Sequence, residues 1–293
     1  MRSIHTLLHG LIDYAGLFPP AELDMPAAVQ GYASYRAGEH CWALGRFVLP
    51  VARLAEFGAA AAPCLPAAGT PWKLAALPGP VLSADLAVIT GFNQRHADRA
   101  LVDTVELKAA TPDAIANALG VIEGRLDAYV ELPIAQDPAP LVAELARRGG
   151  RAKVRTGGTT ADTFPAAADV LRFLRRCIEA GVPFKATAGL HHPLRGGYRL
   201  TYAPDSGCAM MFGFLNVFLA AAFLEHGMGW ADALALLEET QPASLRVEEE
   251  AVAWRSYRLD DAELRHTRRR SAMAFGSCSF REPIDDLQAL GLL

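Results

Sequence analysis

The chain has 293 residues, 52% of them hydrophobic and 20% charged, and a formal net charge of −4 at pH 7. This length is typical of one eightfold β/α barrel with insertions, and the composition excludes wholesale disorder. The acidic balance provides no basic face for nucleic acid or for an anionic membrane surface, so we expect neither as a partner.

Short apolar runs alternate with helical patterns along the first two thirds of the chain, as in parallel β/α proteins. Seven runs predict strands, at residues 11–18, 42–50, 72–77, 103–108, 127–133, 151–156 and 183–189. Helical patterns follow them, at 25–37, from 52, from 111, and at 138–148 and 165–180. In the first of these helices we expect Asp24 as the N-cap and Pro26 in the first turn.

The repeat breaks after the seventh strand. Residues 196–270 exceed a loop and one helix, with apolar helical patterns at 212–225 and 230–239 and a charged, irregular stretch at 241–270. We place the eighth strand at 272–277 and a last helix at 282–290. The sequence therefore predicts an α/β fold, a (β/α)8 TIM barrel of one domain over 1–293. A helical insertion between strands 7 and 8, at 196–270, would cap the site or make a subunit contact in a homo-oligomer.

Charged side chains interrupt strands four to seven, where burial on both faces calls for apolar residues. Such groups are costly unless they pair or lie at the open end of the barrel, and active sites of this fold lie at the carboxyl ends of the strands. The charged residues at or near those ends are Lys108, Glu131, Arg155, Lys185 and His191. We expect them to converge on a small-molecule substrate; a buried salt-bridge network between barrel layers is the alternative.

Small turn-forming residues follow two of these strands, as Arg155-Thr156-Gly157-Gly158 and Thr187-Ala188-Gly189. Such ends let a ligand approach the backbone closely and offer amide N–H groups to an anion.

A lysine inside a barrel can act as an amine nucleophile, because burial and a second cation disfavour its charged form. The neutral amine attacks a carbonyl and forms a Schiff base. Lys153 and Lys185 on neighbouring strands fit this arrangement, with Asp103 or Glu131 as a proton relay.

Two segments resemble the class I deoxyribose-phosphate aldolase family. Lys153-Val-Arg-Thr-Gly157 is similar to the family's lysine, two residues, Thr-Gly motif, and Phe184-Lys185-Ala-Thr-Ala-Gly189 is similar to its Val-Lys-Ala-Ser-Gly-Gly motif. The resemblance implies that Lys153 forms the Schiff base, that Lys185 tunes it, and that no cofactor is needed because the imine is the electron sink.

Shorter matches share this register: Leu11-Ile12-Asp13-Tyr14, Val102-Asp103-Thr-Val105, Val130-Glu131-Leu and Gly276-Ser277-Cys-Ser279. The resemblance implies a proton-relay role for Asp103. With the turn chemistry, it leads us to expect substrate contacts from Arg155, Thr156, Gly157, Thr187, Gly189, His191, His192, Gly276 and Ser277. The chain departs from the family at Leu190-His191-His192-Pro193, which replaces a second glycine and a phosphate-binding arginine.

The fourth strand contains a conflict of side-chain direction. Side chains alternate between the two faces of a strand. If Asp103 faces the barrel axis, Glu106 and Lys108 face outward, unless the strand is bulged.

The main hypothesis is therefore an aldolase-type carbon–carbon lyase acting on a small carbonyl substrate, without a metal. A metal-dependent hydrolase or lyase on the same barrel, with Glu131, His191 and His192 as first ligands, stays open, as does a non-enzymatic binding or scaffold module. His5 and His9, one helical turn apart, and the basic run at 268–270 are interpreted as surface features. The cysteines form no Cys-x-x-Cys pair and no signal peptide is evident, so we expect a cytoplasmic protein.

Overall fold

The computed structural model describes residues 2–67, 69–96 and 98–293. The strands within these residues are β1 Ile12–Tyr14, β2 Leu44–Pro50, β3 Trp72–Leu77, β4 Ala100–Lys108, β5 Asp127–Glu131, β6 Arg151–Arg155, β7 Phe184–Thr187, β8 Gly196–Arg199, β9 Cys208–Met211, β10 Leu245–Val247, β11 Ala251–Trp254, β12 Tyr257–Asp260 and β13 Ala272–Ser277. The α-helices are α1 Arg2–Leu8, α2 Met25–Ala37, α3 Leu54–Ala61, α4 Leu82–His96, α5 Pro112–Ile122, α6 Ala139–Arg148, α7 Ala167–Glu179, α8 Phe214–Glu225, α9 Trp230–Leu237, α10 Asp261–Arg270 and α11 Arg281–Ala289.

Strands β1 to β7 and β13 form a closed parallel barrel in which β13 lies between β7 and β1. The predicted (β/α)8 barrel is confirmed, and so is the eighth strand at 272–277. The first strand is shorter than expected, three residues instead of 11–18, and β4 begins earlier, at Ala100. Because all eight strands run in the same direction, their carboxyl ends meet at one face of the barrel.

The insertion between β7 and β13 contains strands as well as the expected helices. A hairpin of β8 and β9 precedes α8 and α9, and an antiparallel sheet of β10, β11 and β12 precedes α10. The prediction of an irregular segment at 241–270 was wrong. Charged flanks hid the apolar strand Ala251–Trp254, whose residues are all buried, and a capping box between Asp260 and Glu263 begins α10.

A register shift in β4 resolves the conflict of side-chain direction. Val102 pairs with Leu74 of β3, but the next pair joins Thr104 to Ala75. Asp103 therefore has no pairing partner in β3 and is the extra residue of a β-bulge. Such a bulge reverses the alternation that follows it. Asp103 and Glu106 therefore both face the barrel interior, although they are three positions apart.

The helices follow their local signals. The Asp24 side chain accepts a hydrogen bond from the Ala27 N–H at 2.8 Å, and Pro26 lies in the first turn of α2, as predicted. Helix α8 is buried along nearly its whole length, which explains its apolar sequence. None of the described helices combines the length and apolar character that a membrane crossing requires.

Candidate active site at the carboxyl ends of the barrel strands

The middle of the barrel contains a buried ammonium held by two carboxylates. Lys185 Nζ donates hydrogen bonds to Asp13 Oδ2 of β1 and to Glu106 Oε1 of β4, each at 2.6 Å. Its side chain is 1% exposed and its amine lies 5.5 Å from the centre of the Tyr129 ring. The Arg46 N–H donates to the other oxygen of Asp13 at 2.6 Å. These contacts fix Lys185 in one position.

A second ammonium shares one of these carboxylates. Lys153 of β6 pairs in register with Lys185 of β7. Its Nζ lies 2.9 Å from Glu106 Oε2 and 3.1 Å from Glu131 Oε2. The two oxygens of Glu106 therefore each serve one lysine. The structure brings together Lys153, Lys185 and Glu131 of the predicted catalytic set, with Glu106 and Asp13 added to it.

Three groups of this cluster, Glu106, Lys185 and Glu131, have pKa values shifted toward their charged forms. Burial alone would raise the pKa of Glu106, but the ammonium groups of Lys185 and Lys153 more than offset this and lower it to about 2. Burial would likewise lower the pKa of Lys185, yet Asp13 and Glu106 raise it above its usual range. The pKa of Glu131 is lowered, since Lys153 and Arg155 outweigh the opposing effect of its burial.

A cavity of about 320 Å³ opens above this cluster. Lys153 and Glu106 lie at its base, and its walls include the predicted site residues Arg155, Thr187, Gly189, His191 and Gly276. Leu200 and Met211, which belong to the insertion, also line it. Lys153 contributes to the cavity wall, whereas Lys185 lies behind Glu106.

Glu131 lines a second cavity, of about 630 Å³, together with Lys108 and Arg155 among others, and Arg155 also lines the first cavity. Glu131 Oε1 lies 3.3 Å from Arg155 Nε and 3.5 Å from Lys108 Nζ. Its Oε2 is buried, and the ion pair with Lys153 is not aligned as a hydrogen bond. Among the described residues, Lys153 is the cation in contact with this oxygen.

Three of the expected substrate-contact residues, Thr156, Gly157 and Ser277, are not part of the lining of this cavity. The Thr156 hydroxyl is buried and donates to the Ala188 carbonyl at 2.7 Å. Gly157 packs against the Phe164 ring, where a Cβ would come within 2.4 Å. The Ser277 hydroxyl is buried and lies 3.4 Å from His191 Nδ1. These residues support the cavity wall but do not line the cavity.

The two adjacent histidines separate, as expected for neighbours in an extended segment. His191 reaches the cavity, and its Nδ1 lies 3.2 Å from Glu282 Oε2. Burial would lower the pKa of His191, but Cys278 and Glu282 raise it to about 9. His192 turns toward Asp286, at 2.6 Å, and stacks on Tyr198.

The metal hypothesis named Glu131, His191 and His192 as first ligands. Glu131 pairs with Lys153, whereas the histidines pair with carboxylates of α11. Within the described ranges, no three His, Cys, Asp or Glu side chains gather as a group suited to a metal ion.

Asp103 lies apart from the lysine pair, at the amino-terminal end of the barrel interior. It accepts two hydrogen bonds from the Arg46 guanidinium, at 2.6 and 2.9 Å, and lies 3.7 Å from Lys73 Nζ. Glu106 stands between the lysines instead, because the bulge at Asp103 turns it inward. The sequence shows Glu106 as a charged residue in a strand, but we did not predict it as catalytic. Strict alternation would place it and Asp103 on opposite faces of the strand.

Asp13 was also missed as a site residue. Its signal was the match of Leu11-Ile12-Asp13-Tyr14 to a first barrel strand, an acidic residue inside an apolar run.

In comparisons with known proteins, no protein-family model and no curated protein matches this chain.

Proposed function

We propose that the chain is an aldolase-type carbon–carbon lyase, which acts on a small carbonyl compound through a Schiff base on Lys153. The observation that carries the proposal is the position of Lys153: its amine reaches the cavity, contacts two carboxylates and lies beside a second, fixed lysine. The resemblance to the class I deoxyribose-phosphate aldolase family supports the same assignment.

The first step frees the amine. Lys153 transfers a proton to Glu131, whose Oε2 is 3.1 Å away and has no aligned donor. The nitrogen lone pair then attacks the substrate carbonyl carbon, and the proton that the nitrogen gives up passes to the carbonyl oxygen. Glu131 returns its proton to the resulting hydroxyl group, which leaves as water and gives the iminium ion. Lys185 stays protonated behind Glu106, and its positive charge disfavours a second cation nearby, which favours release of the proton from Lys153.

Bond cleavage follows from the iminium. The hydroxyl group β to the iminium carbon gives its proton to a carboxylate, the C–C bond breaks, and its electron pair moves into the iminium to form an enamine. An aldehyde leaves. The enamine is protonated at carbon, and water hydrolyses the imine to release the second carbonyl product and the amine. Glu131 is the carboxylate that we assign to exchange these protons, since it contacts the reacting amine of Lys153.

The test is borohydride trapping. Small aldehydes and ketones, with and without phosphate, are each incubated with the full chain and sodium borohydride, and modified peptides are identified by mass spectrometry. The lysines of the chain are Lys73, Lys108, Lys153 and Lys185, so assignment is direct. We expect a reduced adduct on Lys153 with at least one carbonyl compound.

Two variants make the result specific. Lys153→Arg keeps the positive charge beside Glu106 but cannot form an imine, so its adduct should vanish. Lys108→Met removes a lysine that also contacts Glu131 but is 73% exposed, and its adduct on Lys153 should persist. Absence of any Lys153 adduct across the panel, or labelling of Lys73 and Lys108 alone, would contradict the proposal.

The second candidate is a binding barrel without chemistry. The sealed contacts of Lys185 with Asp13 and Glu106 favour it, because a closed salt-bridge network needs no substrate. The two candidates differ in the same experiment: a binding barrel would bind a carbonyl ligand reversibly and leave no covalent product on Lys153.

A further inference from the structure

A second concave site lies at the opposite end of the barrel. Helix α1 leads into β1 and helix α10 leads into β13, so the groove between these helices faces the amino ends of the strands. It holds a cavity of about 440 Å³. The side chains lining it are Arg2, His5, Thr6, His9, Arg265, Arg268 and Arg269.

Two motifs that the aldolase proposal does not use meet in this cavity. His5 of α1 and His9, just after that helix, both line it, and the basic run ends α10. The Arg268 guanidinium connects the two segments, since its Nη2 donates to the His9 carbonyl at 2.8 Å. The fold thus brings imidazole and guanidinium groups from distant parts of the sequence to one surface.

The charge of this cavity is only partly balanced. Arg2 and Arg265 both pair with Asp261, and Arg2 also lies 3.5 Å from Glu250. Within the described part of the chain, no carboxylate pairs with Arg268 or Arg269. These two arginines therefore have no direct ion-pair partner among the described residues.

Arg268 itself has unused hydrogen-bonding capacity. Its terminal nitrogens donate to the backbone carbonyls of His9, Ala272 and Met273, which are neutral acceptors. Its Nε is buried and has no partner among the described residues. Burial lowers the pKa of Arg268 to about 10, and the opposing effects of Tyr129 and Asp13 do not make up for it. A buried guanidinium without a directly paired anion is costly, and an anion in contact with it would be stabilised.

We propose that this cavity binds a small molecule carrying a phosphate dianion. A dianion balances the two free arginine charges, whereas a single carboxylate does not. Phosphate also accepts several charge-assisted hydrogen bonds at once from guanidinium and imidazole groups. The site lies at the far end of the barrel from Lys153, so it is independent of the proposed lyase chemistry.

The test titrates the full chain with inorganic phosphate at constant ionic strength and follows the imidazole C–H signals of His5 and His9 by NMR. We expect both signals to shift with one saturating curve. Arg269→Gln should weaken phosphate binding by about tenfold or more, as loss of one charge-assisted contact does. Arg270→Gln is the matched control, because Arg270 is exposed on the same helix and does not line the cavity.

Each further outcome decides against the proposal. If the Arg269→Gln variant bound phosphate as tightly as the wild type, the proposed site would be wrong. Phosphate binding that leaves the His5 and His9 signals unmoved would place the anion elsewhere. Acetate binding as tight as phosphate binding would show a general attraction of anions.

Discussion

Lys153 and Lys185 lie side by side on neighbouring parallel strands, and their ammonium groups contact opposite oxygens of Glu106. The two lysines nevertheless have different environments. Lys185 is enclosed by Asp13 and Glu106, whereas Lys153 reaches the cavity beside Glu131. One cluster therefore holds a fixed cation, Lys185, and an amine within reach of a ligand, Lys153. The proposed Schiff-base mechanism needs both.

Glu106→Gln should lower the free energy of unfolding by about 3–5 kcal/mol, because it leaves two buried ammonium groups with one carboxylate fewer between them. Urea denaturation of the variant and the wild type measures this. Glu56→Gln is the control: Glu56 pairs with Arg53 on the surface, so its loss should change stability little. Similar effects of the two substitutions would show that the cluster does not stabilise the barrel.

The same carboxylate makes stability depend on acid. The pKa of Glu106 falls from 4.5 to about 2 on folding, so the folded state favours the ionised form. Its contribution is present above about pH 4.5 and is lost as the pH falls through about 2. Denaturant midpoints measured from pH 6 to pH 2 should decline less in Glu106→Gln than in the wild type. Parallel curves would contradict this assignment.

Much of this arrangement could be predicted from the sequence. The alternation of short apolar runs with helical patterns specified the barrel. Neighbouring positions on β6 and β7 then placed Lys153 beside Lys185, because parallel strands that pair in register align their side chains. The turns after these strands also marked the face on which the cavity opens.

The errors have a common origin in strand pairing. The bulge at Asp103 is a property of the β3–β4 ladder, and nothing in the β4 sequence alone specifies it. Strict alternation therefore favoured Asp103 over Glu106. Ala251–Trp254 was missed because charged residues flank it in the sequence, and its pairing with β10 and β12 exists only in the folded chain.

The contact between Lys185 and Asp13 predicts strong energetic coupling. Lys185→Met leaves Asp13 buried without its cation, and we expect a loss of about 3–5 kcal/mol in the free energy of unfolding. Adding Asp13→Asn should recover more than about 1 kcal/mol of that loss. Denaturation of the wild type, both single variants and the double variant completes the cycle. Simple additivity would show that the two charges do not interact.

His191 should titrate far above an ordinary histidine. Its pKa is about 9 against 6.5, so the cation stabilises the fold fully below about pH 6.5, and this contribution is lost as the pH rises through about 9. NMR titration of the imidazole measures the value. In Glu282→Gln, loss of the carboxylate at 3.2 Å should lower the pKa of His191 by about 1–3 units. An unchanged value would mean that another group holds the proton.

Gly189 forms part of the cavity wall in a conformation that other residues rarely adopt, with φ of +72°. An added Cβ would lie 2.9 Å from the Phe164 ring and 3.1 Å from the Gly157 backbone. Gly181 has a similar φ, +64°, but open space around it, so Gly181→Ala isolates the backbone strain, about 1–2 kcal/mol. Gly189→Ala should cost more and also reduce adduct formation on Lys153, because the displaced loop reshapes the cavity. Denaturation and borohydride trapping of both variants separate these effects, and equal losses would show that the close approach of the Gly157 and Gly189 loops has no part in shaping the site.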